Sequence, residues 1–390
     1  MKLISISRTV EKLDYKSNDQ DYKTWSAMSE YFDNIFLVVQ SPDHKNHKEV
    51  LGKIYVFWIA DKGSLIVKRL HFMKEAYRLS KGLIKQYAID VVNIGEPVIS
   101  GIPAIKLKKK MHIPLVTQVQ GQLMEIPRGT FFPLKSLYIR MITRYVCKKS
   151  DLVRTVSEDI RRSLINNRIN PDKVVCIPSR CDVNKFNRKR FESERDFLRR
   201  EIGYGKDDIV IEFTGRVVAY RDVESDLYAL KEARKHNAQL KLLIVGDGDD
   251  VPRLKRIVQS EGLEKAVLFY GRVQHEDIPK MLSISDIFIS TPTNEAIARS
   301  VLEAMSMELP VIATDVGGTS EAIVNGENGI LVSVHGVAEI AEAMLRLGES
   351  KIERERMGIA ARKVIIEKYE FGMAIQSFAM MHLGLKERIY

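Results

Sequence analysis

Twice along this chain, short apolar runs alternate with longer segments whose apolar residues recur at helical spacing. That alternation leaves few folds open. Strands separated by helices pair in parallel through right-handed crossovers, and the resulting sheet must be covered on both faces. In the first series Lys2–Ser7, Ile35–Gln40, Ile54–Ala60, Val91–Ile94, Leu115–Gln120, Asp151–Val156 and Val174–Ile177 read as strands. Tyr22–Phe32, Leu65–Tyr87, Phe132–Lys148 and Glu158–Ile165 read as helices between them. Composition shifts after Pro178, and the charge-dense stretch Asp182–Arg200 reads as a connection. The pattern then restarts, with strands at Ile209–Phe213, Leu240–Val245, Ala266–Tyr270, Asp286–Ser290, Pro310–Thr314 and Gly329–Val332. The expectation is an α/β protein of two Rossmann-like, doubly wound parallel-sheet domains, whose ligands lie beyond the carboxyl ends of the strands.

Composition narrows the setting. The 390 residues suffice for about two or three domains. No run approaches the roughly 18 apolar residues of a membrane span, and Met1–Arg8 is too poor in apolar residues for a signal peptide, so a cytoplasmic location is expected. Cys147, Cys176 and Cys181 are too few for a disulfide framework or a structural zinc site and read as reduced thiols. The net charge of +10 divides unevenly: residues 1–190 hold 35 Lys and Arg against 18 Asp and Glu, the remainder 26 against 33. A basic first half suits an anionic membrane surface or a phosphorylated substrate; nucleic acid is disfavoured because no binding motif accompanies the charge. Lys106, Lys108, Lys109 and Lys110 form one basic cluster. Lys135, Arg140, Arg144, Lys148 and Lys149 form another, along a helix that also carries Phe131, Phe132, Leu137, Tyr138 and Tyr145. Such a helix can lie on an anionic leaflet at the membrane's inner face.

The chemistry gathers in the second half. Asp286–Ser290 reads as a buried strand, Thr291–Asn294 as the turn that ends it, and Ala298–Met307 as a helix with Asn294 as its N-cap, a natural seat for an anion. Glu295 and Glu303 lie eight residues apart, close to one helical face, and would flank a ligand with phosphates in its middle and hydroxyls at both ends. Gly215-Arg216 ends another strand, with Arg221 five residues on. Two cations there would stabilise the charge that grows on a leaving phosphate. Val245-Gly246-Asp247-Gly248 runs into a Gly-x-Gly turn that permits close backbone approach, without the third glycine of a dinucleotide site.

The glutamate pair, followed by Leu309-Pro310-Val311-Ile312-Ala313 and Gly317-Gly318, resembles the donor-site signature of glycosyltransferase family 4. The resemblance implies the GT-B fold: two domains facing a cleft, with a C-terminal helix crossing back. On this reading 1–185 with 370–390 is the acceptor-side domain and 186–369 the donor domain. It implies a retaining, metal-independent hexosyltransferase using a UDP- or GDP-sugar as co-substrate, with no cofactor and no metal. The acceptor it implies is a lipid-linked saccharide or another envelope glycan precursor. Glu295 would contact the donor sugar, Arg216 and Arg221 the diphosphate, Glu303 the ribose, and the backbone around Arg272 and Val273 the base. Ala296, Ile297 and Ala298 replace the family's glycine-rich turn, with methyl groups that would narrow the sugar pocket, and Arg299 would either add a cation near the diphosphate or face solvent. Asp222 stands where the family has glycine and would partly offset Arg221. Gln120-Gly121 replaces a histidine-glycine on the acceptor side, and glutamine cannot titrate. Thr9–Asp21 lacks the family's glycine pair. An epimerase or hydrolase of the same fold and a non-catalytic nucleotide-sugar binder are the alternatives.

Overall fold

The computed structural model describes residues 1–7, 20–41, 44–124 and 133–389. Thr9–Asp19, Phe131 and Phe132 therefore lie outside the described residues. The chain divides into two compact units, Met1–Pro178 with Gly372–Tyr390, and Ser179–Phe371.

The first unit runs β1 (Lys2–Ser7), α1 (Gln20–Met28), β2 (Asn34–Gln40), β3 (His47–Leu51), β4 (Ile54–Ile59), α2 (Leu65–Tyr87), β5 (Val91–Ile94), α3 (Gly101–Met111), β6 (Leu115–Val119), α4 (Pro133–Lys149), β7 (Leu152–Thr155), α5 (Glu158–Asn166) and β8 (Val174–Cys176). Its sheet has the order β3-β4-β2-β1-β5-β6-β7-β8. All pairings are parallel except β3 with β4. The continuous apolar runs of β1, β2 and β5 are buried, as a sheet covered on both faces requires. Strand β3 is absent from the sequence reading because its residues are polar and alternate with exposure. It closes the edge as a hairpin, with the Lys48 ammonium over the Tyr55 and Phe57 rings at 5.4 and 5.3 Å. Helix α3 is likewise new.

The second unit contains α6 (Arg195–Ile202), β9 (Ile209–Thr214), α7 (Val223–Arg234), β10 (Leu240–Val245), α8 (Val251–Ser260), β11 (Val267–Gly271), α9 (Ile278–Ile284), β12 (Ile287–Ser290), α10 (Arg299–Ser306), β13 (Val311–Thr314), α11 (Thr319–Ala322), β14 (Gly329–Val332), α12 (Val337–Glu349) and α13 (Lys351–Lys368). Its wholly parallel sheet has the order β11-β10-β9-β12-β13-β14. Two core clusters cover its faces, one centred on α7 and α12, the other on α9, α10 and α13. The final helix α14 (Phe371–Ile389) begins where this unit ends and belongs, from Gly372 onward, to the first unit.

The stretch Asp182–Arg200 is not a linker. Helix α6 begins inside it, and the Arg199 guanidinium, only 4% exposed, donates to the Ile284 carbonyl at 2.8 Å, to Asp286 Oδ2 at 3.0 Å and to the carbonyls of Gly205 and Asp208. Arg195 reaches the other Asp286 oxygen at 2.7 Å. High charge density hid a helix whose arginines are fasteners.

Candidate functional site

Because all strands of the second unit run parallel, the turns after β9, β10, β11, β12 and β13 converge on one sheet edge. The winding reverses between β9 and β12, the switch point at which open α/β sheets bind ligands.

Hydrogen bonds from backbone and threonine hydroxyls lock these turns together. Thr293 N donates to the Tyr220 carbonyl at 2.8 Å, Thr314 Oγ1 to the Pro292 carbonyl at 2.7 Å, and the buried Thr291 Oγ1 to Asp226 Oδ1 at 2.8 Å. Gly317 has φ +55, and a Cβ there would stand 1.8 Å from the Glu295 carbonyl oxygen. The glycine pair of the signature therefore clamps the backbone that carries Glu295. Gly246 plays a similar part: a Cβ would meet the Gly215 carbonyl oxygen at 1.8 Å, so this turn's freedom is used to stack two loops.

The clamped loops bring Glu295 and Arg221 together. Arg221 Nη1 stands 2.6 Å from Glu295 Oε2, with both side chains mostly shielded from water. The contact is ionic without hydrogen-bond alignment, for neither Arg221 Nε nor Glu295 Oε2 finds a hydrogen-bond partner among the described residues. Arg216 follows Gly215 at the end of β9 and is exposed. Asp222 has φ +53, the region glycine tolerates best, and turns its Oδ2 to Ser225 Oγ at 2.8 Å and His335 Nδ1 at 2.7 Å.

Two expectations about the glutamates are corrected. Helix α10 begins at Arg299, with Ala298 as its N-cap, so Asn294 does not cap it and Glu295 lies on the preceding loop. The pair therefore does not stack along one helix. The ties from Thr293 and Thr314 and the burial of Ile297 and Ala298 keep the loop from winding. Those two side chains belong to the core cluster, and Ala296 is buried with them, so the added methyls are spent on packing. Arg299 is exposed as the first residue of α10.

Glu303, in the second turn of α10, is 4% exposed, and its Oε1 meets His275 Nε2 at 2.9 Å. His275 lies in the loop after β11, three residues beyond Arg272, which is exposed, and two beyond Val273, which packs on the core. Its Nδ1 meets Lys185 Nζ at 2.8 Å. Sequence reading gives neither partner a part in holding Glu303, since neither stands at a fixed spacing from it. Asp247 and Asp249, either side of Gly248, are exposed. Among the described residues no group of three or more His, Cys, Asp or Glu is placed to hold a metal ion.

Two buried carboxyls support the edge from below. Burial pushes Glu212 up to about 7 despite hydrogen bonds from Ser285 and Thr214, and Asp226 up to about 8 despite the one from Thr291.

Gln120 and Gly121 belong to the first unit, after β6, where Gln120 Nε2 reaches the Gly95 carbonyl at 3.4 Å and Gln118 Oε1 at 3.3 Å.

Comparison with known proteins identifies the family. Residues 194–364 match the family "Glycosyl transferases group 1" and residues 34–185 match "Glycosyltransferase Family 4". Alpha-D-kanosaminyltransferase of Streptomyces kanamyceticus is 27% identical over 270 residues, 69% of this chain and 70% of that protein. Alpha-monoglucosyldiacylglycerol synthase of Streptococcus pneumoniae is 24% identical over 78% of this chain and 69% of its own length. The crystal structure of Anabaena HepE with UDP and glucose superposes with a TM-score of 0.78 at 16% identity, covering 98% of this chain and 99% of that one. The chain belongs to the family 4 glycosyltransferases of GT-B fold, and as such is a transferase acting on nucleotide sugars.

Proposed function

We propose that the protein moves a hexose-like sugar from a UDP- or GDP-sugar, with retention of anomeric configuration and without a metal, to a lipid-linked or other envelope glycan precursor. The observation that carries this reading is the Arg221–Glu295 pair, held by clamped loops at the switch point with Glu303 on the adjoining helix. In this reading Glu295 binds the donor sugar and steadies positive charge at the anomeric carbon. Arg216 and Arg221 oppose the charge developing on the leaving diphosphate, which itself takes the acceptor's proton on the same face. Glu303 accepts the ribose hydroxyls, the backbone at Arg272 and Val273 meets the base, and Gln120 with Gly121 lies on the acceptor side.

The first unit supports a lipid-borne acceptor. On α4, Leu134, Leu137, Tyr138, Met141 and Tyr145 form a stripe at helical spacing that is exposed where such stripes are normally buried; Leu134 is 81% and Met141 64% exposed. Exposed Lys135, Arg140, Lys148 and Lys149 flank it, and α2 adds exposed Leu65, Ile66, Val67 and Leu70. A basic, apolar surface of this kind suits an anionic leaflet. No helix of the described residues is long and apolar enough to cross a membrane, so the proposed placement is peripheral, on the cytoplasmic face.

The test is incubation with labelled UDP- and GDP-hexoses, with and without lipid acceptor extracts and a chelator, followed by NMR of the product anomer. Acceptor-dependent transfer with retention, unchanged by chelator, is expected. Donor consumption without acceptor would identify an epimerase or hydrolase, and a thermal shift without turnover a binder. Absence of flotation with anionic liposomes at low salt would refute the membrane placement alone.

A further inference from the structure

Glu303 is not left to its own rotamers. An ammonium has donors and no lone pair, so the 2.8 Å contact of Lys185 Nζ requires His275 Nδ1 to accept. The neutral ring then carries its proton on Nε2, where it faces Glu303 Oε1 at 2.9 Å and donates. The lysine thus selects the tautomer that can hold the carboxylate. Lys185 is itself fixed. Asp182 Oδ1 accepts from the backbone N–H groups of Asn184 and Lys185 at 3.1 and 3.0 Å, and the Phe186 carbonyl accepts from Ser306 Oγ at 2.7 Å and Arg362 Nη1 at 2.9 Å. Ser306 lies one helical turn beyond Glu303 on α10, so the turn bearing Lys185 is tied to the helix that bears the carboxylate. The Phe186 ring packs against His275 at 5.7 Å and limits its swing.

We propose that Lys185 and His275 are positioning residues that aim Glu303 at the ribose of the donor nucleotide and so set its preference for ribose over deoxyribose. This rests on the reading of Glu303 as the ribose contact. The relay would act on binding before it acts on chemistry, since it touches neither the sugar nor the diphosphate.

The experiment is calorimetric titration of the full chain with UDP, GDP and their 2′-deoxy counterparts, for the native protein and the variants His275→Leu, His275→Gln, Lys185→Met, Glu303→Gln and His275→Leu/Glu303→Gln, with thermal melts of each. His275→Leu should weaken the ribonucleotide about tenfold, a hydrogen bond to a charged group being lost, and should erase most of the ribose preference. Lys185→Met should do the same to a smaller extent. Glutamine offers a donor and an acceptor on a chain of similar reach, so His275→Gln should restore the preference, a recovery that a purely structural role of the ring would not predict. The double variant should bind no worse than Glu303→Gln alone. Retention of the ribose preference in His275→Leu, or full additivity in the double variant, overturns the relay. If Glu303→Gln keeps the preference, or no nucleotide binds the native protein, the underlying donor-site reading fails instead.

Discussion

The two units are built on the same winding, yet they treat polar side chains at the strand ends in opposite ways. In the first, Asn93 Nδ2 donates to Ser5 Oγ at 2.9 Å, Gln118 Nε2 to Asn93 Oδ1 at 3.4 Å, and Arg154 Nη1 to Gln118 Oε1 at 2.8 Å. Amides and a hydroxyl on neighbouring strands satisfy one another, and the buried Arg154 guanidinium that ends this series also serves the Ile177 carbonyl and lies 4.9 Å from the Phe378 ring. In the second, the corresponding edge carries carboxylates and guanidinium groups on loops, held by glycines with no room for a Cβ. A network of amides gives a polar spine to a core. Opposed charges on clamped loops face each other instead, and the contrast is strongest where Arg221 meets Glu295.

Breaking that pair gives the largest expected effect. Glu295→Ala should lower kcat by about 10²- to 10³-fold, the range seen when one preorganised electrostatic contact to a transition state is removed. Melting should change little, since both side chains retain some solvent contact. Turnover within a few fold of native would remove Glu295 from the mechanism. Next comes Arg199→Met, aimed at scaffold beneath the site. Removing a buried guanidinium that holds α6 to Asp286 and three carbonyls should cost about 3 to 5 kcal/mol in urea unfolding. A loss below about 1 kcal/mol, the level of an exposed pair, would restore the view of this segment as a linker.

Those two variants also mark how far the sequence could be read. The βαβ series, the parallel sheets and the glutamate signature were legible because apolar periodicity and glycine turns are local properties. Glu295, Arg221 and Gly317 stand out in the sequence without their contacts. Helix α6 was not, because its stabilising partners are distant carbonyls and a carboxylate on β12's approach, and local composition only reported charge. His275 and Lys185 escaped for the same reason: a hydrogen bond between three separate segments leaves no spacing to read. The N-cap at Asn294 failed because tertiary ties from Tyr220 and Thr314 overrode the local preference for capping.

Titration sharpens the comparison, since the units should respond to pH with opposite sign. In the second unit, burial raises Asp226 to about 8, with Asp222 adding in the same direction. The folded state then holds a proton that the unfolded chain releases. Its contribution is complete below the ordinary aspartate range and is lost as pH rises through about 8. Asp226→Asn, which keeps a group able to bond Thr291, should flatten the fall in stability between the ordinary aspartate range and about pH 8. An unchanged slope would mean that Asp226 is charged in the folded protein.

In the first unit the sign reverses. His382 is fully buried on α14, its Nδ1 bonded to the Phe378 carbonyl at 2.8 Å, and burial lowers it to about 4, with the nearby Arg154 acting in the same direction. Here the unfolded chain binds the proton that the folded chain refuses. Stability is therefore complete above the ordinary histidine range and declines as pH falls toward about 4. His382→Asn removes the titrating group while leaving a donor for the Phe378 carbonyl. It should lower stability at pH 7, because a ring edge-on to Phe378 at 4.7 Å is replaced by a smaller side chain, yet reduce the further loss on acidification. The paired result is what matters: Asp226→Asn should remove a fall in stability as pH rises from the ordinary aspartate range to about 8, and His382→Asn a rise between about 4 and the ordinary histidine range, so the two variants tilt the profile in opposite directions. If both variants tilted it in the same direction, the opposed roles of the two buried groups, and with them the contrast between a hydrogen-bonded spine and an ion-paired site, would not stand.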